Sequence, residues 1–132
     1  ECQLVGNDGN GSCMWNSLLQ YINDDNSFSF SDEEVRVYLE AFISFLLDYL
    51  QTMEIKDAWR YCALLGFELS AQDPKSADSM KAEMERSIRA TLRPRLWQHA
   101  ALYKAIAIYH GMVISLYECI GDKLVETQRY CP

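Results

Sequence analysis

Positive charge is sparse in this chain. Its 132 residues carry 12 Lys and Arg against 19 Asp and Glu, a formal net charge of −7, and the basic residues are scattered. A phosphate-binding face needs clustered basic side chains, so no nucleic-acid partner is expected. Histidine is scarcer still, with only His99 and His110. There is no Cys-x-x-Cys pair and no close Cys/His cluster, so a structural zinc site lacks its ligands; no metal or other cofactor is expected. No apolar run approaches the roughly 20 residues of a membrane span, and no signal peptide, internal repeat or low-complexity segment is visible.

The cysteines that are present, Cys2, Cys13, Cys62, Cys119 and Cys131, are odd in number. They fit free thiols in a reducing, intracellular compartment. A secreted chain could pair some of them, but nothing in the spacing demands it. Nearly half the residues are apolar and 23% are charged, a globular composition with enough chain for one buried core. Residues 1–132 are therefore read as a single domain. The start at Glu1 rather than Met, a few residues before the main motif, points to an excerpt of a longer polypeptide.

The pattern predicts helices first and a small sheet late, an α+β class or a three-layer α/β/α arrangement. Residues 2–5 suit a short lead-in strand and residues 6–12 a loop. A helix follows from Cys13 to about residue 22, with Met14, Leu18, Leu19 and Ile22 on its buried side. Ser31-Asp32-Glu33-Glu34 is a capping box, opening a helix to about residue 50. That helix is apolar on nearly every face and so central. A shorter helix over 56–65 stops at Gly66, and residues 67–75 form a loop. Residues 76–92 carry Met80, Met84 and Ile88 four apart, a narrow packing stripe on a charged helix, ended by Arg93-Pro94-Arg95. A second buried helix is expected over 97–109 with Gly111 as its left-handed cap. The run 112–117 reads as a strand covered on both faces, and Ile120-Gly121-Asp122 as a turn into a return strand over 123–130. Trp15 is expected beneath the first helix, Trp59 in the core, and Trp97 in the core or anchoring a loop. Cys62 reads as a small buried hydrophobe and Cys119 as a loop residue.

The chemistry concentrates in Gly9-Asn10-Gly11-Ser12-Cys13-Met14-Trp15-Asn16-Ser17-Leu18-Leu19. Small, turn-forming residues deliver a cysteine to the first turn of an apolar helix. A helix N-terminus presents N–H groups and partial positive charge, which favour the nucleophilic thiolate and can hold the oxyanion of a tetrahedral intermediate. On spacing alone, a buried cysteine that merely follows a loop fits equally well.

Residue order adds what spacing cannot. The segment Gly9 to Leu18 resembles the nucleophile segment of the ovarian tumour (OTU) family of papain-like cysteine proteases, which reads approximately Gly-Asp-Gly-Asn-Cys-Leu-Phe-Arg-Ala-Leu. A second likeness lies in Trp97-Gln98-His99-Ala100-Ala101-Leu102-Tyr103-Lys104-Ala105-Ile106-Ala107, followed by His110-Gly111 and the apolar run from Met112 to Tyr117. OTU domains show a Trp-Gly segment opening a helix there, then a short link and a buried strand. The stretch between carries no match. The resemblance implies a papain-like OTU-type fold, several helices packed around a small buried β-sheet. It implies deubiquitination through a Cys13 thioester, with ubiquitin or polyubiquitin as partner. Ubiquitin's binding face is basic in character, and an acidic domain is compatible with it.

Within that resemblance Cys13 is the nucleophile. Asn10 stands where the family has an aspartate that shapes the oxyanion loop; Asp8 lies two residues earlier, off that backbone position. The backbone N–H groups of Gly11, Ser12 and Cys13 are the expected oxyanion donors. The family's histidine follows its last strands, in a segment beyond Arg129-Tyr130-Cys131-Pro132. His99, in the first turn of the expected Trp97 helix, and His110, at that helix's end, are both poor candidates for the base. Three explanations stand: a histidine beyond residue 132, one upstream in a permuted arrangement, or a pseudo-enzyme that keeps the fold and ubiquitin binding. Two other functions stand beside deubiquitination, a catalytically silent ubiquitin-binding module and a thiol acyltransferase or protease of other specificity. Drift from common OTU sequences outside the motifs hints at a bacterial or viral member acting in the cytoplasm of a host cell.

Overall fold

The structure is a computed structural model that describes residues 12–25, 27, 29–70 and 76–132. The expected lead-in strand at 2–5, most of the 6–12 loop and part of the 67–75 loop lie outside the described residues. The elements are α1 (Cys13–Ile22), α2 (Asp32–Gln51), α3 (Ile55–Leu64), α4 (Ala77–Thr91), α5 (Leu102–His110), β1 (Ile114–Ile120) and β2 (Lys123–Tyr130). Among the described residues, five helices and a two-stranded antiparallel sheet make a mixed helix-and-sheet fold.

The centre is α2, which packs against α1, α3, α4 and α5. Its capping box is in place: Ser31 Oγ accepts from the Glu34 N–H at 3.1 Å, and Glu34 Oε1 accepts from the Ser31 N–H at 3.5 Å. Val35, Leu39, Phe42, Ile43, Leu46 and Leu50 form its buried stripe, while Val37 on the opposite side faces solvent. Each fully buried Leu or Phe there contributes about 1.5–3 kcal/mol over leaving it in water. From α4, Met84 and Ile88 enter the same core, and from α3, Ala58 and Cys62. The expected methionine stripe is thus a packing stripe. Trp15 is fully buried in an aromatic array with Tyr38 and Phe42, at ring separations of 6.0 and 6.4 Å. Trp59 is half-buried against this core.

The expected helix over 97–109 is shorter, beginning at Leu102. Arg95 takes a left-handed backbone, φ +67°, which redirects the chain after Pro94. Residues 99–104 then tighten into successive i+3 turns, Leu102 N–H to His99 O, Tyr103 N–H to Ala100 O and Lys104 N–H to Ala101 O. His99 therefore precedes the helix, and Trp97 projects into solvent at 71% exposure instead of joining the core or anchoring a loop. Gly66 is fixed by this segment: with φ +91° it lies so close to His99 that an added Cβ would meet His99 Cβ at 2.5 Å.

The sheet is the second departure. The apolar run was expected to be covered on both faces, yet β1 starts at Ile114, is half-buried through Leu116 and is exposed from Tyr117 onward. β2 is exposed until Tyr130. Met112 is spent on the link after Gly111, whose φ of +62° makes the expected left-handed cap. Ile114 reaches the core and α5 packs on β2, so among the described residues the hairpin meets the helices at its base. Tyr117, Ile120, Leu124 and Val125 extend outward, 41–62% exposed. Pairing runs from Ile114↔Tyr130 to Ile120↔Lys123, with an irregularity between Leu116 and Tyr117. Cys119 lies within β1, not in a loop.

Candidate active site

Cys13 is the first residue of α1 and is half-buried. Its carbonyl accepts from Ser17 Oγ at 2.9 Å. Ser12, the N-cap residue, is buried, only 2% exposed. Its backbone (φ −102°, ψ 15°) is not extended, and its side chain makes no cap bond to α1. Instead Ser12 Oγ accepts from the Arg95 N–H at 2.7 Å, across 83 positions of sequence. The Arg95 side chain continues to the start of α2, where Nε donates to both Asp32 carboxylate oxygens at 3.0 and 3.1 Å. The left-handed turn at Arg95 thereby ties the Cys13 helix to α2. Asn10 and Gly11 lie outside the described residues.

Beyond Cys13, Asn16 and Gln20 turn inward, four residues apart on one face of α1. Asn16 Oδ1 accepts from the Phe30 N–H at 3.3 Å, and Gln20 Nε2 donates to Ser27 O at 2.8 Å. These amides pin the connection into α2. Trp15 Nε1 and Asn16 Nδ2 are buried with no hydrogen-bond partner among the described residues, a cost that α1 bears beside the candidate nucleophile.

A groove of about 370 Å³ runs along the other side of α1, lined by Met14, Ser17, Leu18 and Tyr21 opposite Tyr103 and Met112 to Leu116. Among the described residues, no lining side chain is charged. Tyr103 shares this groove with Met14 and Ser17, one and four positions after Cys13. Burial raises its phenol above the ordinary range, and the nearby Cys13 and Tyr130 add to the shift. Its ring packs on Tyr130 at 5.7 Å, and its hydroxyl makes no hydrogen bond to a described residue.

Neither histidine is placed with Cys13 by its ring contacts. His99 Nδ1 accepts from the Ala101 N–H at 3.1 Å, serving the turn before α5. His110 sits at the far end of α5, about 10 Å along the axis from Tyr103 at 1.5 Å per residue. Its Nε2 bonds to Tyr38 OH at 2.7 Å, and its ring lies parallel to Tyr38 at 5.8 Å. Burial lowers its proton affinity, so it is a neutral packing histidine. Cys62 is fully buried, its thiol pushed up to about 12 by burial, and is inert as a nucleophile.

Sequence reasoning placed Cys13 and Ser12 at the helix start but missed two neighbours. Arg95 looked only like part of a helix stop; nothing in Arg93-Pro94-Arg95 announces a bond to residue 12. Tyr103 lay inside a recognised segment without a role, and its place beside α1 depends on how α5 packs. Among the described residues, no group of three or more His, Cys, Asp or Glu side chains is gathered as metal ligands, and no helix is long and apolar enough to cross a membrane. No family model, curated protein or solved structure matches the chain.

Proposed function

We propose that this domain is a thiol-dependent deubiquitinase. Cys13 Sγ attacks the carbonyl carbon of the ubiquitin C-terminal glycine in an isopeptide bond. The carbonyl electron pair moves to oxygen and then returns as the C–N bond breaks, and the lysine amine leaves with the proton that the Cys13 thiol gave up. Water then hydrolyses the Cys13 thioester and restores the thiol. The observation that carries this reading is a half-exposed cysteine at the first position of α1, whose N-cap hydroxyl is engaged by Arg95 and whose first turn holds no carboxylate. The partial positive charge of the helix start is thus not offset by α1's own side chains. The groove alongside, with no charged side chain among its described lining residues, offers room for an extended acyl segment.

Ubiquitin as the acyl group rests on the OTU resemblance of residues 9–18 and 97–107. A second reading, a ubiquitin-binding module without catalysis, is favoured by one observation: the rings of His99 and His110 are both engaged elsewhere. The two separate in one experiment. Ubiquitin bearing a C-terminal electrophile is incubated with the chain and with a version extended at both ends, and intact mass is read. The enzyme reading predicts an adduct that disappears in Cys13→Ala and persists when Cys2, Cys119 or Cys131 is replaced by serine. Ubiquitin binding without an adduct in either version would establish the module instead. Neither binding nor adduct from a folded protein would end both.

A further inference from the structure

Tyr103 stands out among groups that the proposed chemistry does not yet use. Seven other tyrosines are present, and the contrast with Tyr38 is instructive. Tyr38 commits its hydroxyl to His110. Tyr103 is half-buried, holds its ring against Tyr130, and has no hydrogen-bond acceptor among the described residues. It lines the same groove as Met14 and Ser17, which stand one and four positions after Cys13 on α1. Its surroundings keep it protonated, so it remains an O–H donor through the whole neutral range.

We propose that Tyr103 is a catalytic residue of this site, donating a hydrogen bond from its phenol to the acyl oxygen as Cys13 attacks. This role rests on the thiol-acyl chemistry proposed above and adds a side-chain donor to the backbone donors expected from residues 11–13. In the step, the Cys13 S–C bond forms and the carbonyl π pair moves onto oxygen. The Tyr103 proton stays on its own oxygen and stabilises that charge. On collapse the pair returns, the bond to the leaving group breaks, and the leaving group carries away the electrons of that bond. A preorganised donor in a partly dry groove is the arrangement that stabilises charge developing only in the transition state.

The test separates reactions that need an oxyanion from those that do not. Displacement at the saturated carbon of iodoacetamide develops no oxyanion, whereas acylation by p-nitrophenyl acetate does. Both rates are measured at Cys13 by peptide mass, in the full chain with Cys2, Cys119 and Cys131 replaced by serine. Tyr103→Phe is expected to slow Cys13 acylation by about a hundredfold, the usual loss for one oxyanion donor, while alkylation stays within twofold. Tyr130→Phe, which keeps the neighbouring ring, is expected to leave both rates alone. Unchanged acylation in Tyr103→Phe overturns the proposal. An equal fall in both rates also overturns it, because the residue would then act on the thiol itself. Neither probe contains ubiquitin, so an absent ubiquitin adduct beside a hundredfold acylation effect would reject the substrate and leave Tyr103's role standing.

Discussion

Serine is the N-cap residue of α1, α2 and α4, and α1 and α2 use it in opposite ways. At α2, Ser31 caps its own helix, Glu34 completes the box, and Asp32, Glu33 and Glu34 set carboxylates against the positive end. At α1, Ser12 gives its oxygen to Arg95, no acidic residue occupies the first turn, and a cysteine stands at the first helical position. The α2 start is satisfied from within and serves stability. The α1 start is held by a distant segment and does not use its own side chains to offset the partial positive charge. At α2 the cap and its carboxylates answer the positive end from within the helix, whereas at α1 the N-cap oxygen is committed to a distant backbone N–H.

The strongest way to break this contrast is to unseat α1. Trp15→Ala empties the fully buried position between Tyr38 and Phe42 and is expected to cost about 3–5 kcal/mol in urea denaturation. Trp97→Ala, on an exposed ring, is expected to stay within about 0.5 kcal/mol.

Importing the α2 pattern sharpens the contrast. Met14→Glu places a carboxylate in the first turn of α1, and iodoacetamide labelling of Cys13 at neutral pH is expected to slow about fivefold. In the opposite direction, Ser31→Ala removes a true cap and is expected to cost about 1 kcal/mol while leaving Cys13 labelling unchanged. Ser12→Ala is expected to speed amide exchange at Arg95, an effect Ser31→Ala does not share.

The smallest expected effect concerns pH, at the α2–α5 contact. Burial holds the His110 proton affinity below its ordinary value of 6.5, so the unfolded chain binds that proton more tightly. The contribution is complete above pH about 6.5 and is lost as pH falls below it through the folded value. Thermal melts between pH 7 and 5 are expected to show a decline that His110→Gln flattens.

Much of the fold was legible because local rules governed it. The α1 limits, the Ser31 box, the turns at Gly66, Gly111 and Gly121 and the β2 span follow from capping, periodicity and turn residues. The failures lie where packing overrides the local pattern. The 97–101 stretch looks helical, but the left-handed Arg95 and the His99 contact with Gly66 keep it a turn. The run 112–117 looks like an enclosed strand, because apolar residues carry no mark of whether anything covers them. The candidate site was legible at Cys13, where a motif is contiguous. Arg95 and Tyr103 were not, since each reaches α1 only through a contact some 80 or more residues distant in sequence.

The most direct test of the α1 start compares two cysteines in one protein. Cys119 is exposed on β1 and Cys13 is half-buried at the helix start, so accessibility alone favours Cys119. Iodoacetamide is added at neutral pH under native conditions and both sites are followed by peptide mass. Faster labelling of Cys13 is the predicted result, with buried Cys62 unlabelled as the internal sign that the fold is intact. Faster labelling of Cys119, with Cys62 still protected, would show that the helix start does not activate the thiol and would contradict Cys13 as the nucleophile.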